Sequence, residues 1–320
     1  MTTMSPETWL GFLDEEYLSN FIRAGGASVK FAVPLNDHAR SDTLGGVRGQ
    51  AHGAGYLVLD VSAADTRVHM IDQIFHRLAE QVPWQALCRR RLEQLANEAA
   101  FQLPDPSDER PFAEALAAAN DLEVSFVLQQ ARPWIEKAVF KNADLARDFR
   151  VAMTNLMSAE LNGGPEGRTT SELIVAWLTG TNKAVSAVKT YGVRSRITRT
   201  NARYFLESLL HWVRACGWAG TVIVLDLERL AAARNPRDGL NYYTKAALLD
   251  AYEVLRQFID STDRLASCLL TVVPAPEFLE TETPRGMGGY EALMFRVYDE
   301  VRDRDLVNPM ASLIRLGSAT

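Results

Sequence analysis

Two stretches of the chain combine residue types that could handle a phosphate and its metal ion. Val29 to Val33 is a short apolar run that opens into Pro34-Leu35-Asn36-Asp37-His38-Ala39-Arg40-Ser41. That octapeptide has the length and register of the phosphate-cradling pattern G-x-x-x-x-G-K-[ST], with Pro, Ala and Arg where Gly, Gly and Lys stand. Thr221 to Leu225 is a second apolar run, and it delivers Asp226 at its C-terminal end. A carboxylate there lies in the crevice beyond a sheet, where it could hold magnesium through water. Leu227 follows where a second, water-polarising Glu is usual, and Glu228 is the next carboxylate. Arg40, Ser41, Asp226 and Glu228 are therefore the candidate nucleotide residues.

The chemistry of that constellation is impaired. Pro34 removes an amide donor, and Asp37 sets a negative charge where phosphates would sit. Arg40 keeps a positive charge without the compact geometry of Lys, while Ser41 keeps the hydroxyl that would ligate magnesium. A third apolar run, Cys268 to Val273, ends in Pro274-Ala275 with no polar side chain to sense a phosphate. Hydrolysis is not expected from these residues, and no catalytic residue is assigned. Taken alone, Asp226 also reads as a helix or turn cap.

Basic side chains gather between Lys189 and Arg203 with no acid among them. Arg194, Arg196, Arg199 and Arg203 could contact a nucleic-acid backbone or an acidic partner, or they belong to a solvated loop before a helix capped by Thr200 or Asn201. Near the C-terminus, Arg285, Arg296, Arg302 and Arg304 form another group. Arg296 is the candidate for reaching a neighbouring subunit's site, with salt bridges to interleaved acids as the alternative. His69 and His76 lie two helical turns apart, too far for one metal ion, so no metal site is expected.

The elements that must position these residues alternate. Strand candidates are Val29 to Val33, Tyr56 to Val61, Thr221 to Leu225 and Cys268 to Val273; helical spacing marks Val68 to Val82, Trp84 to Phe101, Ala202 to Cys216 and Tyr242 to Ile259. Such alternation implies a mostly parallel sheet covered on both faces. Residues 105–162 break it and read as a helical insertion, and the glycine-rich stretch Leu161 to Gly167 reads as a breaker before a helix at Ser171 to Leu178. We expect one α/β domain over 1–320, with that insertion inside it and a C-terminal helical segment over 280–320.

Composition narrows the field. About half of the 320 residues are apolar (47%), and 34 basic against 40 acidic side chains give a mildly negative chain, which argues against bulk-charge binding to nucleic acid. Cys88, Cys216 and Cys268 are scattered and read as core thiols in a reducing cytoplasm. The N-terminal stretch lacks the charge pattern of a secretory signal, and no apolar run of about 18 residues could span a membrane.

Several ordered motifs carry a family resemblance. Phe21 to Phe31 looks like the approach to a phosphate loop, and Leu173-Ile174-Val175-Ala176-Trp177-Leu178-Thr179-Gly180 is similar to "L-x-x-W-L-x-G". Cys216 to Glu228 resembles the strand "G-Y-x-G-L-hydrophobic-D-E-x-E". Leu255 to Asp260, Pro276 to Leu279 and Gly286 to Arg296 follow "L-R-x-L-I-D", "T-P-E-F" and "G-x-x-x-Y-x-A-L-x-x-R" in the same order. The chain thus resembles the ATP-binding proteins of BREX-type and related methylation-associated phage-defence systems, which are AAA+-like P-loop ATPases. The resemblance implies an AAA+-like P-loop three-layer α/β fold with a mostly parallel sheet and a helical insertion. It also turns Asp226 into the counterpart of the family's metal-holding Asp.

Where working members carry the Gly-rich loop with Lys, the Asp-Glu pair and a Thr before Pro-Glu-Phe, this chain has Ala39-Arg40-Ser41, Asp226-Leu227 and Ala275. All three departures fall on catalytic elements. They imply a degenerate ATPase subunit of a defence system, acting as a scaffold or partner-binding component that requires no cofactor. Two alternatives stay open: an unorthodox ATPase in which Arg40, Ser41 and Asp226 still hold Mg-ATP, and a DNA-binding accessory module acting through the 194–203 arginines. The implied partners are other defence-system proteins, with a helicase or AAA+ ATPase as a candidate, and DNA contact and homo-oligomerisation left open.

Overall fold

A computed structural model describes residues 3–182, 184–297 and 307–317. Helix α1 (Pro6–Phe12) runs on into a π-helical stretch, Leu13–Phe21, before strand β1 (Ala27–Pro34). Helix α2 (Asp37–Gly53), strand β2 (Leu57–Ser62) and helix α3 (Ile71–Ala79) follow. Six helices then succeed one another with no strand between them: α4 (Trp84–Glu98), α5 (Phe112–Ala119), α6 (Val124–Ile135), α7 (Arg147–Asn162), α8 (Gly164–Leu178) and α9 (Ala202–Ala215). Alternation resumes with β3 (Thr221–Leu227), α10 (Lys245–Asp260), β4 (Cys268–Pro274), α11 (Glu291–Val297) and β5 (Leu313–Leu316). The chain divides into two compact units, Met1–Leu78 with Trp218–Thr320 and Ala79–Gly217.

The first unit is an α/β layer structure on a five-stranded, all-parallel sheet of order β2-β3-β4-β1-β5, a fold of the expected P-loop-like kind. Both faces are covered, which is why β4 is an unbroken buried run. Side chains alternate between faces. Ala32, Val222, Val224, Leu269 and Ile314 pack on one side with Trp9, Leu13 and Leu18 of the N-terminal helices and Val47 of α2. On the other, Phe31 stacks on Phe278 at 5.6 Å between ring centres, and Tyr252 of α10 meets Phe278 edge-on.

The stretch expected as C-terminal helix contributes α11 and, beyond it, strand β5. Only Ile314 and Leu316 of that four-residue strand are buried, too short an alternation to stand out in the sequence. Lys30 of β1 secures the approach to β5. Its ammonium donates to the carbonyls of Met310 (2.5 Å) and Ala311 (3.2 Å) and lies 4.3 Å above the Tyr17 ring. Burial pulls its pKa down to about 8.

Within the second unit, helices with no strand between them extend well beyond 105–162 on both sides. An aromatic series binds them: Trp84 to Phe149 (6.3 Å), Phe149 to Phe205 (6.4 Å) and Phe205 to Trp177 (5.5 Å). Helix α8 begins seven residues before Ser171 because Pro165 occupies its first turn, where a missing N–H costs nothing. All three cysteines are free and buried.

Entry into β3 depends on Gly220, whose φ is +150° and whose added Cβ would lie 2.2 Å from the Ser267 carbonyl oxygen. That oxygen accepts from the Thr221 amide. Gly220→Ala is expected to lower the unfolding free energy by more than about 2 kcal/mol, through backbone clash plus strain. Gly55→Ala, at φ +80° in open space, should cost only about 1 kcal/mol. Urea denaturation of the two variants checks the contrast, and equal losses would refute it.

Candidate functional site

The octapeptide expected as a phosphate loop is mostly helix. β1 extends through Pro34, Leu35 and Asn36 make a tight turn, and α2 starts at Asp37. Asn36 is the reason: as N-cap it takes the Ala39 amide on its Oδ1 at 2.8 Å, the preferred chemistry for starting a helix. A phosphate cradle needs unpaired amides turned inward. Here Pro34 has none, Leu35 donates to the Leu316 carbonyl (2.8 Å), Ala39 donates to Asn36 and Arg40 donates to the Asn36 carbonyl (3.0 Å). Asp37 adds its charge in the first turn.

Sheet order carries Arg40 to Asp226. β4 lies between β1 and β3, and Asp226 stands in register with Val273. Asp226 shares a face with Val222 and Val224, the face that α2 covers. From the first turn of α2, the Arg40 guanidinium donates to Asp226 Oδ1 and to the Pro274 (3.3 Å) and Val273 (3.4 Å) carbonyls. Its Nε lies 3.6 Å from a Glu228 carboxylate oxygen. The Arg40 side chain is only 12% exposed and that of Asp226 22%, so each charge is largely withdrawn from water. Asp226 Oδ1 also accepts the Glu228 amide at 3.0 Å.

Three of the four candidate nucleotide residues, Arg40, Asp226 and Glu228, therefore meet. Ser41 does not: it is exposed on α2. Leu227, which follows Asp226, is buried in the core at 1% exposure. Ala275 is likewise buried and precedes the short turn of helix Pro276–Leu279. The residues that sequence reasoning passed over are Asn36, whose capping chemistry was legible, and the Val273 and Pro274 carbonyls, which carry no sequence signal.

Arg296 is engaged locally. It donates to Asp260 and to the Ala292 carbonyl (2.7 Å), and Asp260 also receives Arg256. Arg256 in turn holds Glu253 at 2.6 and 2.7 Å, and this hydrogen bonding keeps the Glu253 carboxyl down to about 2. Arg285 donates to the Ala231 and Tyr243 carbonyls; Arg302 and Arg304 lie outside the described residues. Among the described residues no group of three metal-ligating side chains occurs, and no helix is long and apolar enough to cross a membrane. His69 packs edge-on against Tyr243.

The 194–203 arginines belong to the second unit. Arg194, Arg196 and Arg199 are exposed in an irregular segment, while Arg203 on α9 pairs with Glu207 at 3.2 Å.

Residues 47–320 match the family described as BREX system ATP-binding protein BrxC/D. No curated protein and no solved structure matches the chain. The matched span begins within α2, beyond both its Asn36 cap and Arg40.

Arg40→Ala and Asp226→Ala should each lower the unfolding free energy by about 2 kcal/mol, because each strands a largely buried partner charge. The double substitution should cost less than their sum by about 1–3 kcal/mol. Chemical denaturation of the four proteins measures this, and additive losses would dissolve the pair.

Proposed function

The chain belongs to the BREX system ATP-binding protein BrxC/D family, and from that premise we propose that it is a subunit whose nucleotide site has been converted into a structural joint. Membership makes it a component of a phage-defence system that works with other proteins of that system. Its own contribution, on this reading, is to hold partners together rather than to turn over ATP.

One observation carries the reading: Arg40 donates to Asp226 and to the carbonyls at the end of β4. Oδ1 of the carboxylate that would hold a magnesium ion through water is thereby committed to a guanidinium fixed on the same chain. The capped turn at Asn36 supports the same conclusion, since the Leu35, Ala39 and Arg40 amides already have partners. Mg-ATP would have to displace a desolvated ion pair and unwind the first turn of α2. Neither cost is offset by the Gly-rich loop or Lys that an active site supplies.

Calorimetric titration with Mg-ATP should give no saturable heat; a micromolar Kd that disappears in Asp226→Ala would defeat the proposal. A second measurement separates a structural joint from a hidden nucleotide function. Replacing the pair together, Arg40→Met with Asp226→Leu, exchanges it for apolar packing, a change that is often neutral or stabilising by about 1–4 kcal/mol. Cells carrying the defence system with this double variant should restrict phage as the parent does. Loss of restriction with a stable, soluble variant would assign the site a chemical role.

A further inference from the structure

The second unit carries a cleft of about 660 Å³ whose lining includes Arg147, Arg194, Asn201 and Tyr204, within the roughly 300–1,000 Å³ typical of small-ligand sites. We propose that this cleft binds single-stranded nucleic acid, with a base stacked on Tyr204 and the backbone running over Arg194 and Arg196. This goes beyond the structural role of the Arg40–Asp226 joint and does not depend on it.

Four observations carry the assignment. First, Tyr204 sits on α9 with 53% of its surface exposed beside the cleft, an open π-face of the kind that stacks any unpaired base. Second, among the described residues the guanidiniums of Arg194 and Arg196 meet no carboxylate, although both are exposed. The segment from Lys189 to Arg203 holds five cations and no acid. Third, the backbone that displays these arginines is pinned from beneath. The buried Asp148 accepts the Arg194 amide (3.1 Å), the Ser195 amide (2.7 Å) and the Ser195 hydroxyl (2.6 Å) on one oxygen, while its other oxygen takes Arg147. Trp177 donates to the Ser195 carbonyl and Asn201 to the Arg196 carbonyl. A basic segment so held does not lose its conformational freedom on binding, which favours affinity.

Fourth, the acids facing the cleft are mostly neutralised. Asp148 is enclosed by its four donors, and Glu207 is paired with Arg203 at 3.2 Å. Asp144 remains, exposed at the rim, and its repulsion of phosphate weakens the site without abolishing it. A duplex keeps its bases stacked and presents none to Tyr204, so the cleft selects the single-stranded form.

Fluorescence anisotropy with a labelled oligothymidylate tests this on the full chain. Affinity should fall steeply between about 50 and 200 mM salt. Arg194→Glu with Arg196→Glu should abolish most of it and reduce the slope of log K against log salt by about 0.7 per lost contact. Tyr204→Ala should weaken binding roughly five- to a hundred-fold with the slope unchanged, and Tyr204→Phe should restore it. These side chains are exposed, so thermal unfolding should stay at the parent's midpoint. Binding to duplex as tight as to the oligothymidylate, indifference to Tyr204→Ala, or equal capture of polyglutamate would each overturn the proposal, the last pointing to an acidic protein surface instead.

Discussion

A guanidinium and a carboxylate removed from water at the end of a sheet hold the first unit in register. Arg40 comes from the helix after the first strand, Asp226 closes the third, and the carbonyls that share the guanidinium close the fourth. An ion pair of this kind adds little net stability, since desolvation cancels much of the attraction, yet losing one partner is severe. Its effect is specificity: any packing of α2 that misaligns Arg40 strands both charges. On either side of this contact the strand ends are finished by core packing. Leu227 beside Asp226 and Ala275 beyond Pro274 are both buried.

Much of the sheet was legible because parallel, doubly covered strands are written as unbroken apolar runs. The four strands read from the sequence are present: β1, β3 and β4 run one to three residues longer than read, and β2 is shifted by one residue. β5 escaped because its alternation spans only Leu313 to Leu316 and includes Arg315. Gly163 and Gly164 suggested a break before α8, and they do interrupt the chain at positive φ. Pro165 immediately restarts it as helix, a positional preference that a simple breaker rule ignores. The first turn of α2 was misjudged for a related reason: a motif template of fixed length was laid over residues whose own capping chemistry favours helix from Asp37 onward.

The absence of glycine from Pro34 to Ser41 could be read directly; the pairing of Arg40 with Asp226 could not. Arg40 and Asp226 are 186 positions apart, and nothing local links them. Their meeting follows only once strand order is known, because β4 alone separates the ends of β1 and β3. The basic segment offers the converse case. Its charge was plain in the sequence, whereas the buried Asp148 that organises its backbone is one acid among 40.

The position of β1 bears on how the molecule is made. As the first strand to leave the ribosome it has no early partner: its neighbours in the sheet are β4 and β5, from residues 268 and 313 onward. At typical bacterial elongation rates of about 5–20 residues per second, the buried run Val29 to Pro34 waits roughly a quarter of a minute to a minute for its second neighbour. Until β4 is made both of its edges lack their final hydrogen-bond partners, and until β5 is made one still does, a state open to misassembly. A nascent chain built this way depends on being shielded until β5 arrives, so removing β5 would harm β1 as well as the segment that is lost.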